Sequence, residues 1–163
     1  MEWKYMFIWV DVALSGVATQ SSVLNNSCPP SFVINGEPNA HNDSRSCSAT
    51  LFETNPWWRL DMRGPYAVAS VEVIRRSDCC TDEIDGAEIR IGDSVENNGN
   101  NNPRCAVITI NDSPYMTFNC NKMKGRYINI YLPGEVKRLH LCEVKVYANA
   151  LVSGGNVTLS KDI

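Results

Sequence analysis

The chain has 163 residues, 44% of them hydrophobic and 20% charged, with 15 basic against 18 acidic side chains and a formal net charge of −3. That length supports one domain burying about 70% of its unfolded surface. No long basic run lines a phosphate backbone, which excludes nucleic acid as a partner, and no apolar stretch is long enough for a transmembrane segment.

The first ten residues, "MEWKYMFIWV", are too short and too aromatic for a signal peptide's apolar core. No small-residue cleavage site follows, so residues 1–10 read as an N-terminal extension. Residues 11–148 carry the domain. Within it, residues 20–56 hold much turn chemistry, including "INGEPN", and read as ordered loops at one end of a β scaffold, where binding groups concentrate. "NPWWRLDM" places Trp57 and Trp58 on opposite faces of a strand, one in the core and the other capping the sheet or a loop. "VASVEVIRR", "AEIRIG", "AVITI", "MTFNC", "RYINIYLP" and "LHLCEVKVYA" are short, β-branched, partly alternating runs between Gly, Pro, Asn and Asp clusters. The fold class is therefore all-β, a jelly-roll barrel or sandwich. "GDSVENNGNNNPRC" is an Asn-rich loop with nothing apolar enough to pack. In the tail, residues 149–163, "GNVTLSKDI" echoes "VDVALSGVA", aligning residues 156–160 on residues 11–15 as the opening of a second repeat.

Seven cysteines with two histidines and no C-x-x-C pair point to an oxidising, extracellular setting rather than a zinc module. Sequons at Asn25, Asn42, Asn111 and Asn156 agree, the third weakened by Pro114. Cys105 and Cys120 bracket two strands around a turn, and a bridge across that hairpin would contribute about 3 kcal/mol in the loop-entropy account. Cys47 and Cys142 remain for a long closure of nearly 5 kcal/mol by the same account. Cys28, in "SCPPS", is the odd thiol. Cys79 and Cys80 are then left to pair with each other, although their Cα atoms can be only about 3.8 Å apart, below the usual disulfide range. Such a bond forms a flat apolar sulfur plate with no rotamer to order on binding. Spacing alone leaves open two separately buried thiols, or one joined to Cys28.

"TDEID" gathers Asp82, Glu83 and Asp85, and a glycosidase needs two carboxylates across a cleft. Three acids in five loop residues form instead a solvated acidic edge, and His41 and His140 have no nucleophile signature beside them. His140 reads as a surface or satisfied residue. The chain is not read as an enzyme.

"DCC" after an Arg-x step, "DGAEIRIG", "SVENNGNNNPRCAVI", "GRYINIYLPG" and "LHLCEVKVY", with "VALSGVATQSS" and "NPWWRLDM", closely resemble the F-type lectins, the fucolectin domain, from about Asp11 to Tyr147. The resemblance implies a jelly-roll barrel akin to discoidin-type domains, terminal L-fucose on glycans as ligand, and one structural calcium ion. It also implies secretion, trimers or tandem chains, a role in innate recognition, and the pairs Cys47–Cys142, Cys79–Cys80 and Cys105–Cys120. The family's sugar motif is His, twenty-six residues, Arg-x-Asp, four residues, then Arg or Lys. Arg76 and Asp78 match it, and the Cys79–Cys80 plate packs on the sugar's apolar face. Ala49 stands where the His belongs and Glu83 where the second cation belongs. Losing a buried ligand hydrogen bond costs about 1–3 kcal/mol, so an ordinary fucose grip is in doubt unless His41, Arg45 or Arg75 reaches in. The alternatives are a retained pocket with a changed ligand, or a non-binding unit kept for assembly in a tandem chain. The resemblance maps calcium to Phe32 and Cys142 through their carbonyls, and to Asn35, Glu37, Ser46 and Glu143. These are the hard oxygens that calcium takes in sets of six to eight.

Overall fold

Alternation of buried and half-exposed side chains along the β-branched runs builds an all-β molecule, seen in a computed structural model that describes residues 6–40, 46–153 and 156–159. Its strands are β1 (Met6–Asp11), β2 (Val17–Gln20), β3 (Ser48–Ala49), β4 (Trp57–Ile74), β5 (Glu88–Gly92), β6 (Arg104–Val107), β7 (Tyr115–Tyr131), β8 (His140–Leu141), β9 (Glu143–Ser153) and β10 (Asn156–Leu159). The main sheet runs β1-β9-β4-β7-β5-β6, with β2 beside β4 and β10 beside β9, and β3 with β8 forms a separate two-stranded ladder. Every described pairing is antiparallel.

Two long strands make one sheet serve as both layers. β4 and β7 lose register between Asp61 and Tyr66. Before that break β4 lies beside β2, and beyond it beside β9. Arg63, at φ 64°, turns the chain at the bend. "NPWWRLDM" and "VASVEVIRR" are thus one continuous strand, because a bulge bends a strand without ending it. At the same level Gly125 brings β7 against β5, where a Cβ would lie 2.6 Å from Gly92 Cα.

Trp58, Leu60, Val71, Val73, Ile89, Ile91, Ile128, Ile130, Val144 and Val146 fill the space between the layers, all nearly or wholly buried. Each large side chain removed from water this way contributes about 1.5–3 kcal/mol. Trp58 is core, its indole N–H donating to the Pro30 carbonyl at 3.1 Å, while Trp57 stays half-exposed on the other face.

Cys47 is bonded to Cys142, Cys79 to Cys80 and Cys105 to Cys120, and Cys28 is a buried free thiol. The Cys105–Cys120 bridge does not cross a hairpin. β6 pairs with β5, not β7, because the chain leaves β6 at Ile108, whose N–H donates to Ala87 O at 2.7 Å beside β5. The Asn-rich loop also packs, contrary to expectation, through amides rather than apolar groups. Asn102 is 5% exposed, accepts from the Ser94 N–H and donates to the Ser94 carbonyl.

Residues 6–10 and 149–153, read from sequence as extension and tail, continue the sheet as β1 and β9. The two echoing segments differ locally: Val12–Ser15 is a 3-10 turn and Asn156–Leu159 a strand. No helix among the described residues is long and apolar enough to cross a membrane.

Candidate functional site

After β4 ends at Ile74, the chain turns back on the loop end of the sandwich. The Ser77 N–H donates to the Ala40 carbonyl at 2.8 Å, which ties the turn down. Arg76 grips Asp78 through two hydrogen bonds, Nε to Oδ1 at 2.7 Å and Nη2 to Oδ2 at 3.0 Å. This pairing holds the guanidinium above its ordinary pKa. The bonded Cys79–Cys80 pair follows, with Cys80 at φ 56°, and the Glu83 N–H closes the turn on the Cys80 carbonyl at 3.1 Å.

That turn carries Glu83 to β8 and the segment before it. Arg138 donates to Glu83 through Nη2 at 2.7 Å and Nε at 3.2 Å, and His140 Nδ1 lies 2.8 Å from Glu83 Oε2. Arg138 is packed on both sides. Its Nη2 sits 3.8 Å from Cys80 Sγ, and its guanidinium carbon is 4.6 Å from the centre of the exposed Phe52 ring. Burial pushes the Glu83 carboxyl up, but the hydrogen bonds from Arg138 and His140 together hold it below its ordinary value. Burial dominates at His140 and pushes its pKa down, and Nδ1, facing an acceptor-only carboxylate, is the donor to Glu83, with Nε2 on the far side of the ring. That Nε2 is buried without a partner among the described residues. A recess of about 210 Å³ opens over this cluster, lined by Phe52, Asp82, Glu83, Val136, Lys137 and Arg138.

Several sequence expectations change here. Glu83 belongs to no solvated acidic edge: both its oxygens are taken, and Asp85 accepts from the Ile110 N–H at 3.1 Å. Of the two readings of His140, surface or satisfied, burial at 2% exposure removes the first, and the Glu83 contact at Nδ1 meets the second on that side of the ring. Arg75 does not reach in. It is buried and donates to the carbonyls of Arg76 and Asn111. His41 and Arg45 lie outside the described residues. Ala49 is fully buried opposite His140 in the β3–β8 ladder. The residues missed from sequence are Arg138 and Phe52, which only the pairing of distant segments brings to the turn.

The residues mapped to calcium lie beside this end. Phe32 belongs to the 3-10 turn Pro30–Ile34, which packs on β9. Asn35 Oδ1 accepts from the Glu37 N–H at 2.8 Å, and both side chains are exposed. Ser46 is half-buried and Cys142 buried. Glu143 is wholly buried on β9 with neither carboxylate oxygen hydrogen-bonded. Burial pushes it up to about 8, against the pull of the nearby Val144 and Gly36 N–H groups. A buried orphan carboxylate facing a carbonyl-rich turn suits a hard cation. No cluster of three His, Cys, Asp or Glu forms among the described residues, so the remaining donors would be carbonyl, amide and hydroxyl oxygens.

A family model described as a NedA-like, galactose-binding domain matches residues 32–130. Fucolectin-5 of Anguilla japonica is 42% identical over 144 residues, covering 85% of this chain and 76% of its own length. The pentraxin fusion protein of Xenopus laevis is 38% identical, and the match spans 89% of this chain but 35% of that protein. Among solved structures, an F-lectin from Morone saxatilis serum superposes with a TM-score of 0.82 at 46% identity, over 88% of this chain and 48% of that one. A Streptococcus pneumoniae fucose-binding module shares the fold, with a TM-score of 0.74 at 22% identity. With this sequence similarity across most of its length, and the vicinal disulfide at the loop end of a jelly roll, the chain belongs to the F-type lectin, or fucolectin, family.

Proposed function

We propose that the recess beside Cys79–Cys80, whose Arg138 touches the Cys80 sulfur, binds the terminal sugar of a glycan, with L-fucose or a related sugar as ligand, and that the protein is an extracellular, calcium-stabilised recognition lectin. The observation that carries this is the Arg138–Glu83–His140 cluster set against the sulfur plate beside the Arg76–Asp78 pair. A sugar presents vicinal hydroxyls on one side and C–H groups on the other. Guanidinium donors and carboxylate acceptors answer the hydroxyls, while Phe52 and the sulfurs offer an apolar surface. Arg138 brings a cation to the recess from a new position, and the buried His140 stands behind it on the same Glu83 carboxylate. Glu83 is an acceptor where the family has a donor, which supports a shifted specificity rather than an empty scaffold.

In the cation site, Glu143 with the Phe32 and Cys142 carbonyls, Asn35, Glu37 and Ser46 would hold calcium. The ion would neutralise Glu143 and fix the turn beside the recess. Glycan-array screening followed by titration calorimetry tests the binding reading. Binding of fucosylated or related glycans, lost in Arg76→Ala and Arg138→Ala variants that stay folded, is the expected result. A blank array with a folded protein would overturn it.

A further inference from the structure

Glu53 and Lys137 pair through two backbone hydrogen bonds of 2.9 Å each, an isolated bridge between two loops. Phe52, Lys137 and Arg138 line the recess already described. Glu53 and Asn55 line a second one of about 230 Å³, with Trp57, Asn97, Asn98 and Tyr131. We propose that this second recess is a saccharide subsite adjoining the first, so that the chain reads two neighbouring sugars of one oligosaccharide across the Glu53–Lys137 bridge. The inference rests on the first recess being a sugar site.

The chemistry of the lining matches a pyranose. The side-chain amides of Asn55, Asn97 and Asn98 can give to and take from ring hydroxyls, and the Glu53 carboxylate, which already accepts from the Ser22 hydroxyl, can only accept from them, so the lining answers a sugar chiefly through polar groups. Glu53 is the charged residue of this lining, which disfavours an anionic sugar and leaves a neutral hexose or N-acetylhexosamine. The Asn98 side-chain amide has no partner among the described residues, and Asn98 is exposed.

The recess is also held rigid in advance. Asn129 is wholly buried and donates through Nδ2 to Asn98 O at 2.6 Å and to Asn100 Oδ1 at 3.0 Å. Arg59 donates to the same Asn98 carbonyl at 3.1 Å while lying over the Trp57 ring at 5.2 Å. Between them Gly99, at φ +86°, leaves no room for a side chain, since a Cβ would lie 2.6 Å from Asn129 Oδ1. Asn55, Asn97 and Asn98 all occupy the left-handed region, at φ 54°, 48° and 60°. Asparagine tolerates that region better than other residues with a Cβ, so these three turns set the shape of the recess through the backbone.

Proximity links the two recesses. Phe52 of the first recess and Glu53 of the second are consecutive, and Lys137 of the first is joined to Glu53 by both backbone hydrogen bonds of the bridge.

The test is a titration followed by NMR, with L-fucose, D-galactose, N-acetylgalactosaminyl-β-1,3-galactose and a Lewis b oligosaccharide as probes. The Glu83 amide reports the first recess and the Trp57 indole N–H the second. The expected result is that one oligosaccharide binds about tenfold tighter than the monosaccharide sharing its terminal residue, and moves both reporters. Asn98→Gly, which keeps the left-handed backbone but removes the amide, and Trp57→Ala abolish the gain and leave monosaccharide affinity unchanged, with thermal melts showing that each variant is folded. Equal affinity for mono- and oligosaccharide, with Glu83 moving and Trp57 silent, overturns the subsite while leaving the lectin reading intact. If no probe moves either reporter, the lectin reading falls and the subsite falls with it.

Discussion

His140 stands directly opposite Ala49 in the β3–β8 ladder, and from there its Nδ1 reaches Glu83 Oε2 at 2.8 Å. Directly opposed side chains in an antiparallel ladder lie about 5 Å apart. An imidazole on either strand would therefore stand at the same level of the ladder, behind the Glu83 carboxylate. Glu83 works in the same sense: standing where the family carries a cation, it captures one from Arg138 at 2.7 Å. The chemical types persist at this end of the sandwich while their chain positions change.

Glu83 is the common partner, so its loss leaves a half-buried guanidinium and a buried imidazole uncompensated. Glu83→Ala is expected to lower the unfolding free energy by about 1–3 kcal/mol. A double-mutant cycle with Arg138→Met, read by urea unfolding, is expected to give a coupling of about 1–2 kcal/mol. A coupling near zero would show that the pair is incidental.

Acid weakens the fold from a definite point. His140 is depressed below 6.5 and Glu83 below 4.5 in the folded chain, with Arg138 and Arg76 also facing the imidazole. In both cases the unfolded chain binds protons that the folded chain refuses. Their contributions are whole above about pH 6.5 and are lost as pH falls, first through His140 and then through Glu83. In a Glu143→Gln background, which removes a buried carboxyl raised from 4.5 to about 8 whose contribution runs the opposite way in this range, melts at pH 7.5, 6 and 5 are expected to show Tm dropping across the series. In His140→Gln the decline between 7.5 and 6 is expected to shrink.

Restoring the family's imidazole at its own position needs an exchange, not an addition. Ala49 is fully buried, so Ala49→His alone overpacks the ladder and costs about 1–3 kcal/mol. Adding His140→Ala opens the facing space, and the double variant is expected to regain most of that loss. Thermal melts of the single and double variants decide it.

Calcium is expected to raise Tm and a chelator to lower it. Glu143→Gln is expected to stay folded and to lose the response. Without the ion the buried carboxyl holds its proton near neutral pH, so the amide costs little. A chelator shift that survives in Glu143→Gln would place the ion elsewhere.

Much of this arrangement is legible in the chain. The β-branched runs fix β5, the end of β4 and the start of β9, because alternation is local. The joins are not. Arg63 at φ 64°, and Asn121 and Lys122 at φ 50° and 58°, let β4 and β7 pass through irregularities where turn chemistry reads as strand ends. The site divides in the same way. Arg76, Asp78 and the two adjacent cysteines form one short motif. Arg138 and His140 lie 55 and 57 residues from Glu83, and nothing local in "KRLHLC" says which loop they will face. In the Asn-rich loop hydrogen bonding, not apolar area, buries Asn100 and Asn102, and hydropathy carries no signal of it.

The Cys47–Cys142 bond fastens the strand entering Ala49 to the strand leaving His140. The segments that lead into both sides of the recess are thus welded at their base before any visitor arrives. Recognition at this end works as a casting mould rather than a closing hand. Under the proposed lectin reading, a recess fixed in this way spends no ordering entropy on its ligand, and selectivity rests on the shape already cast.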